Sequence, residues 1–487
     1  MAEPPVLGAL ECRPGVLARR LPGARSGPET MSSDIAGARM MDRSRVLDAP
    51  GALPLLGHAW ELWRRPLAFL SSLAGTCDVA ALRLGPRPAH LLVSPEAVWE
   101  VLVTRNQDFN KGALFEKGKA VTGNSIVASE GDFHKRQRNL LRPAFSASRF
   151  GAYTELIRDV AQDMSARWHS GRTIAVDQEM FRISAAAVMV CLFSAPGLAE
   201  EAAAVAMRSM PTVATGVAMR ALSPSQLPFR LPLPANRRYE RSLHDMHAVI
   251  DRIIADYRAT AVRHGDLLSM LLDAQDEESG ERMTDAQIHD ECAGLLAVGS
   301  ETTARTLAWM FHILGSRPHI AAKVRAELDD VLGDGPVTYE AITRLDYLPR
   351  LVDEVLRFHS PAFLFTRSPH TDLDLGGHRV PAGTLMLWSP YVLHHDPAFF
   401  PAPERFDPDR WIEPTAEAKR AFLPFGAGPH RCIGSAFAVN EIITILATVT
   451  RRWHLTPAAT GPVRSTALAI HFPTRLPMVP VPVTAAS

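Results

Sequence analysis

The chemistry of this chain starts at Phe425-Gly426-Ala427-Gly428-Pro429-His430-Arg431-Cys432-Ile433-Gly434, one thiol in a loop of glycine, proline, histidine and arginine. An apolar run at helical spacing follows, from Phe437 and Ala438 through Ile442 and Ile443 to Leu446. The pattern predicts a tight loop feeding a buried helix, with Cys432 at the helix N-terminus. Unpaired backbone N–H groups and the helix dipole favour a thiolate at such a place. A structural cysteine in a turn is the plainest reading. A dinucleotide cradle fails, because Arg431 stands where G-x-G-x-x-G needs its third glycine and Pro429 removes an N–H. The remaining reading is a thiolate ligand to haem iron.

The spacing Phe425, Gly428, Cys432, Gly434 resembles the haem-binding loop of the cytochrome P450 monooxygenases, with His430 at the position where arginine is usual. Three further stretches carry the same resemblance. His134 and Arg138, one helical turn apart, match a haem-propionate pair. Gly299-Ser300-Glu301-Thr302-Thr303, in the middle of a long helical pattern, matches the motif whose alcohol (Thr302) hydrogen-bonds iron-bound oxygen and whose acid (Glu301) relays protons. Glycine and paired threonines are poor helix-interior residues, so a local distortion is expected there. Glu354-Val355-Leu356-Arg357, with Pro403-Glu404-Arg405-Phe406 downstream, matches a buried network of Glu354, Arg357 and Arg405 that fixes the cysteine side of the core. The resemblance places Arg367 on a propionate and Phe425, Gly428 and Gly434 against the sulfur and porphyrin. It puts Phe115, Val298, Ala362, Phe363 and Leu364 in an apolar substrate pocket. Val298 replaces a smaller residue beside the iron and is expected to narrow the pocket.

The elements that must position these groups are mostly helical. Thr284 and Gln287 form a capping box, and helical periodicity then continues to Gly315. Val79 to Leu84 and Ala89 to Val93 read as a hairpin around Gly85 to Pro88, and Ser94-Pro95 opens a helix. Residues 106–130 read as a long loop, which the resemblance places over the substrate pocket. Leu373 to Leu375, Gly376-Gly377 and Arg379-Val380 read as a second hairpin. Leu227 to Pro234 reads as an extended apolar lid. The expected fold is mainly α with a smaller β-rich lobe, one domain over 46–487 after a disordered extension over 1–45.

Composition bounds the partners. Lys+Arg and Asp+Glu number 52 each, so no nucleic-acid partner is expected. Cys12, Cys77, Cys191, Cys292 and Cys432 show no pairing rhythm, which fits free thiols in a cytoplasm. No run reaches the roughly 20 apolar residues of a membrane span. The resemblance implies haem b, O2, and electrons from NAD(P)H through a ferredoxin and its reductase, delivered to a monomer. Lys135, Arg136 and Arg142 are candidates for docking an acidic donor. Leu231 to Arg238 is similar to actinobacterial terpene hydroxylases, which implies a cyclic terpene substrate in antibiotic biosynthesis, such as a sesquiterpene of the pentalenene or albaflavenone pathways. A haem-thiolate peroxygenase or isomerase, and a non-catalytic haem sensor, are the alternatives. The intact Glu301-Thr302 pair argues against both.

Overall fold

The computed structural model describes residues 46–483, apart from 195–196, 224, 261–264, 276–279, 460 and 468–469. The expected disordered extension lies outside the described residues. The described residues form one compact unit.

One helix, Asp285–Ser316, crosses the molecule and is called the central helix here. Its capping box is present: Thr284 Oγ1 accepts from the Gln287 backbone, and the Gln287 side chain accepts from the Thr284 backbone. The helix contributes side chains to both large apolar clusters, through Ile288, Cys292 and Leu296 to one and Leu307, Met310 and Leu314 to the other. No break occurs in the Gly299–Thr303 stretch. The hydroxyls turn back instead onto carbonyls one turn earlier, Thr302 Oγ1 to Val298 at 3.0 Å and Thr306 Oγ1 to Thr302 at 2.9 Å. Gly299 has a packing reason, since a Cβ there would sit 3.2 Å from Val188 on the neighbouring helix Val176–Leu192.

The β lobe is built on a six-stranded sheet. Val79–Leu84 and Arg87–Leu92 pair antiparallel, joined by a turn tighter than expected because the second strand already begins at Arg87. Leu385–Trp388 lies parallel to Arg87–Leu92 and antiparallel to Phe365–Pro369. That register pairs Phe365 with Trp388, and their rings stack at 4.7 Å. The Leu373–Leu375 and His378–Val380 hairpin turns at two positive-φ glycines, Gly376 and Gly377. Ser94 caps its helix by accepting from the Ala97 N–H.

Two expectations need correction. Residues 106–130 are not one long loop: Ala113–Thr122 is a helix, called the roof helix here. The 227–234 segment is not wholly extended, since Leu227–Arg230 forms a helical turn and a second helix starts at Pro234. Leu227, Leu231 and Leu233 stay exposed on it. One helical stretch, Gly428–Arg452, is long and apolar enough to cross a membrane by length and composition. From Asn440 to Thr450 its side chains are buried in the core against the helix Ala147–Ser165 and the central helix.

Candidate active site

Glu354 organises the side of the molecule that presents the cysteine. Its carboxylate is fully buried and takes a bidentate pair from Arg357, with both contacts at 2.9 Å. The second arginine is Arg410, whose Nε lies 3.1 Å from Glu354 Oε1, and Trp411 Nε1 donates to Oε2 at 3.1 Å. Arg405, expected in this role, points outward and pairs with Asp407. The physical reason is local. Asp407 caps the 3-10 turn Pro408–Trp411 and so delivers Arg410 and Trp411 inward. Arg405 contributes only its carbonyl, which accepts from Arg357 and Arg410.

The network reaches the thiol. Arg357 Nη1 donates to the His394 carbonyl at 2.9 Å. The His394 ring accepts the Leu423 N–H on Nε2 at 3.0 Å, so Nδ1 carries the proton toward Ser360 Oγ at 2.9 Å. Leu423 leads directly into Pro424 and Phe425. Cys432 N–H then donates to the Phe425 carbonyl at 3.0 Å and closes the loop. Gly428 has φ +69°, and a Cβ there would fall 2.1 Å from the Leu102 carbonyl oxygen. Gly428 therefore packs the loop against Leu102, and it is not among the residues that line the cavity. Gly426, also at positive φ, is the glycine of that turn that lines the cavity, together with Phe425 and Gly434.

The Cys432 side chain opens into a cavity of about 350 Å³, within the usual range of ligand sites. Burial pushes its thiol up, while the Gly434 N–H, Arg138 and Arg431 pull it down. Six basic side chains line the cavity near it: Lys111, His134, Arg138, Arg367, His430 and Arg431. The His134 and His430 rings sit 4.4 Å apart. Burial drives both imidazoles down, His134 to about 4, and Lys111 repels each of them. Burial followed by Arg367 lowers Lys111 to about 7, and burial lowers Arg367 to about 10. No carboxylate lines the cavity, and His430 Nδ1 and Trp388 Nε1 are buried without a partner. The lysine and arginines of this lining supply positive charge, and the imidazoles supply hydrogen-bonding groups, for an anionic ligand. A planar group with two carboxylates and a metal that takes a thiolate fits it, which is haem.

The sequence reading missed Lys111. Its Nζ donates to the Ile126 and Val127 carbonyls at 2.9 and 2.8 Å, tying the loop beyond the roof helix to the cation ring. A lone lysine in an unpatterned stretch carries no spacing signal.

Across the cavity, Val298, Gly299, Thr302, Thr303 and Thr306 project from the central helix. Val298 is 42% exposed, all the more notable for an apolar side chain in mid-helix, and its exposed surface lines the cavity. Phe115 and Ala362 line it as expected. Phe363 and Leu364 do not: Phe363 is buried in the β-lobe cluster and Leu364 packs on it, while Ser360, Pro361 and Phe365 take the wall. Glu301 also faces away, paired with Arg305 at 3.2 Å in a buried site. A different acid stands behind the threonines. Glu441 accepts from Ser184 at 2.7 Å, and burial raises it to about 8; the Thr303 hydroxyl donates to the Gly299 carbonyl at 3.4 Å.

A thiol aimed into a cavity, a ring of unneutralised cations beside it and alcohols opposite define a haem-thiolate protein. The chain belongs to the cytochrome P450 family, whose family model matches residues 48–479. It is similar to cyclooctatin synthase of Streptomyces melanosporofaciens, 42% identical over 84% of this chain and 90% of that one. It is also similar to cyclooctat-9-en-7-ol 5-monooxygenase of the same organism, 40% identical over 84% of this chain and 89% of that one. Pentalenene oxygenase of Streptomyces avermitilis is 38% identical over 88% of this chain and 95% of that one. Among solved structures, the haem domain of cytochrome P450DA superposes with a TM-score of 0.79 at 25% identity, covering 90% of this chain and 99% of that one. The protein is a haem-thiolate monooxygenase that uses haem, O2 and external electrons.

Proposed function

We propose that the enzyme inserts one oxygen atom into an apolar cyclic terpene, a sesquiterpene or a larger ring system, during antibiotic or other secondary-metabolite biosynthesis. The observation that carries this reading is the cavity wall. Phe115, Val188, Leu295, Val298, Ala362 and Phe365 are apolar, and the only charges lining the cavity are cations, which the cofactor's carboxylates would neutralise. Such a wall selects substrates by shape and apolar area. The terpene-oxidising names of the similar Streptomyces enzymes point the same way.

When bound, the haem supplies O2 activation and the oxidation itself. The chain's own residues orient and tune it. Cys432 would bind the haem iron through its sulfur, whose negative charge the Gly434 N–H would stabilise. Lys111, His134, Arg138, Arg367 and His430 would hold the haem carboxylates. Phe425 would shield the sulfur from water. Thr302 lines the cavity wall across from Cys432, and its present acceptor, the Val298 carbonyl, keeps its hydroxyl oriented. Glu441, raised by burial to about 8 behind the threonines, is the acid placed to supply protons to this wall. Glu301 takes the relay role only if its pairing with Arg305 opens.

Electrons come from NAD(P)H through a separate ferredoxin and reductase, in the cytoplasm, to a monomer. Lys135 and Arg142 are exposed at the cysteine side and suit an acidic donor, whereas Arg136 is engaged with Glu281. Spectral titration of the haem band against cyclic terpenes, fatty acids and polar macrolides tests the substrate class. Cyclic terpenes alone are expected to shift the band. A response confined to fatty acids or macrolides would overturn the reading.

A further inference from the structure

We propose that His247 and His289 form a proton-held clasp that positions the roof helix over the cavity, with His289 as the positioning residue whose charge sets how firmly the roof is held. His247 lies on the helix Pro234–Thr260 and His289 on the first turns of the central helix. His247 Nε2 is 3.0 Å from the carbonyl of Ala120, in the last turn of the roof helix. A carbonyl only accepts, so Nε2 carries the hydrogen and Nδ1 of a neutral His247 is bare. That bare nitrogen faces His289 Nε2 at 3.4 Å.

His289 is surrounded by acceptors. From the neighbouring helix come His247 Nδ1 and Asp251 Oδ1, the latter 3.5 Å from Nε2. From its own helix comes Asp290 Oδ1, 3.6 Å from Nδ1. The roof helix contributes no charge here, only the Ala120 carbonyl already bonded to His247. A neutral imidazole has one N–H and leaves a lone pair against one of these acceptors. An imidazolium has two and satisfies both sides. Its hold on a proton is raised accordingly, with Asp290 as the first cause.

The same carboxylate grips the roof. Asp290 Oδ2 accepts the Asn124 N–H at 2.7 Å, and both oxygens of the adjacent Glu291 accept the Ile126 N–H at 2.9 and 3.0 Å. Gly123 has φ +53°, and a Cβ there would fall 1.9 Å from Asp290 Oδ1, so the roof is seated directly on this acid. Phe115, Ile126 and Val127 on either side of these anchors line the cavity. His289 therefore adjusts the roof without touching substrate. The clasp is fully formed below the ordinary histidine range. It is lost as pH rises through the raised value of His289.

The test uses haem-loaded enzyme without substrate, so that it stands apart from the terpene reading. Amide exchange of peptides covering 113–127 is measured from about pH 6 to about pH 9, corrected for the intrinsic pH dependence of exchange. Wild type, His289→Gln and His289→Lys are compared, with the 425–434 peptide as internal control. Roof protection in wild type is expected to fall several-fold across this range while the control peptide stays level. His289→Gln should lower protection at the acid end and flatten the pH slope, and His289→Lys, cationic across the range, should raise protection at the alkaline end, leaving in both variants only the dependence that Lys111 and Glu291 contribute. Recombination of carbon monoxide after flash photolysis should quicken several-fold with pH in wild type and be fast at both ends in His289→Gln. A wild-type roof whose protection does not change with pH, or an unchanged pH slope in His289→Gln, would overturn the clasp.

Discussion

Below the cavity, Glu354 gathers two arginines, a tryptophan N–H and a backbone N–H on one dry carboxylate. Above it, the roof hangs from side chains that bond single backbone groups: Asp290 to Asn124, Glu291 to Ile126, His247 to Ala120 and Lys111 to Ile126 and Val127. The first arrangement is many-centred and has no easy way to give. The second is a row of separate contacts, two of them on groups whose protonation lies close to neutral pH, Lys111 and Glu291. The contrast fits the task. A thiolate ligand must stay in register, whereas a wall over a substrate must admit and release it.

Substitutions can break this comparison at either end. Cys432→Ala should abolish turnover and the thiolate signature of the reduced carbon monoxide complex; persistence of that signature would overturn the assignment. Next in size is the floor. Arg357→Ala strands a buried carboxylate and should cost about 3–5 kcal/mol in denaturant unfolding, with loss of haem retention. Arg410→Ala should follow the same direction, while Arg405→Ala should stay within about 0.5 kcal/mol of wild type. Equal effects at Arg405 and Arg410 would refute the corrected network. Thr302→Ala should leave the fold intact and cut product formed per O2 consumed, by up to about 10²-fold if the alcohol governs proton delivery. Glu301→Gln should do much less, since that acid is committed to Arg305.

Smaller effects sharpen the roof. Lys111→Met leaves two carbonyls without their donor and should cost about 1–3 kcal/mol of local stability, read as faster exchange over 113–127 and weaker haem retention. The pH test falls on Glu441. Its folded value is raised to about 8, so its contribution is complete below the ordinary carboxyl range and lost as pH rises from there through about 8. The thermal midpoint of wild type should decline over that window. Glu441→Gln, neutral at every pH, should flatten the decline, and an unchanged slope would show that the carboxyl is already ionised.

Much of the floor was legible in the sequence because its groups lie close together in the chain. The cysteine loop, the capping box and the Glu354–Arg357 pair are each local patterns with one geometry available to them. The network's third member was misplaced because Pro403–Phe406 and Pro408–Trp411 offer two similar tetrapeptides, and only the capping of the second by Asp407 decides which arginine turns inward. The roof helix went unseen because Glu116, Lys117, Gly118 and Lys119 interrupt any apolar period. Phe363 and Leu364 are as apolar as the cavity wall, yet they pack into the lobe just ahead of a strand whose first residue, Phe365, turns to the cavity. Glu301 and Glu441 were beyond sequence reasoning, since a partner one turn away and a serine on a distant helix decide which acid backs the threonines.

Lys111 carries a consequence for how the protein matures in the cell. One ammonium serves both the cation ring and two carbonyls of the roof, so cofactor loading and roof ordering are thermodynamically linked. Haem binding is therefore expected to protect the 113–127 segment, read as slower limited proteolysis there in the loaded enzyme than in the cofactor-free chain.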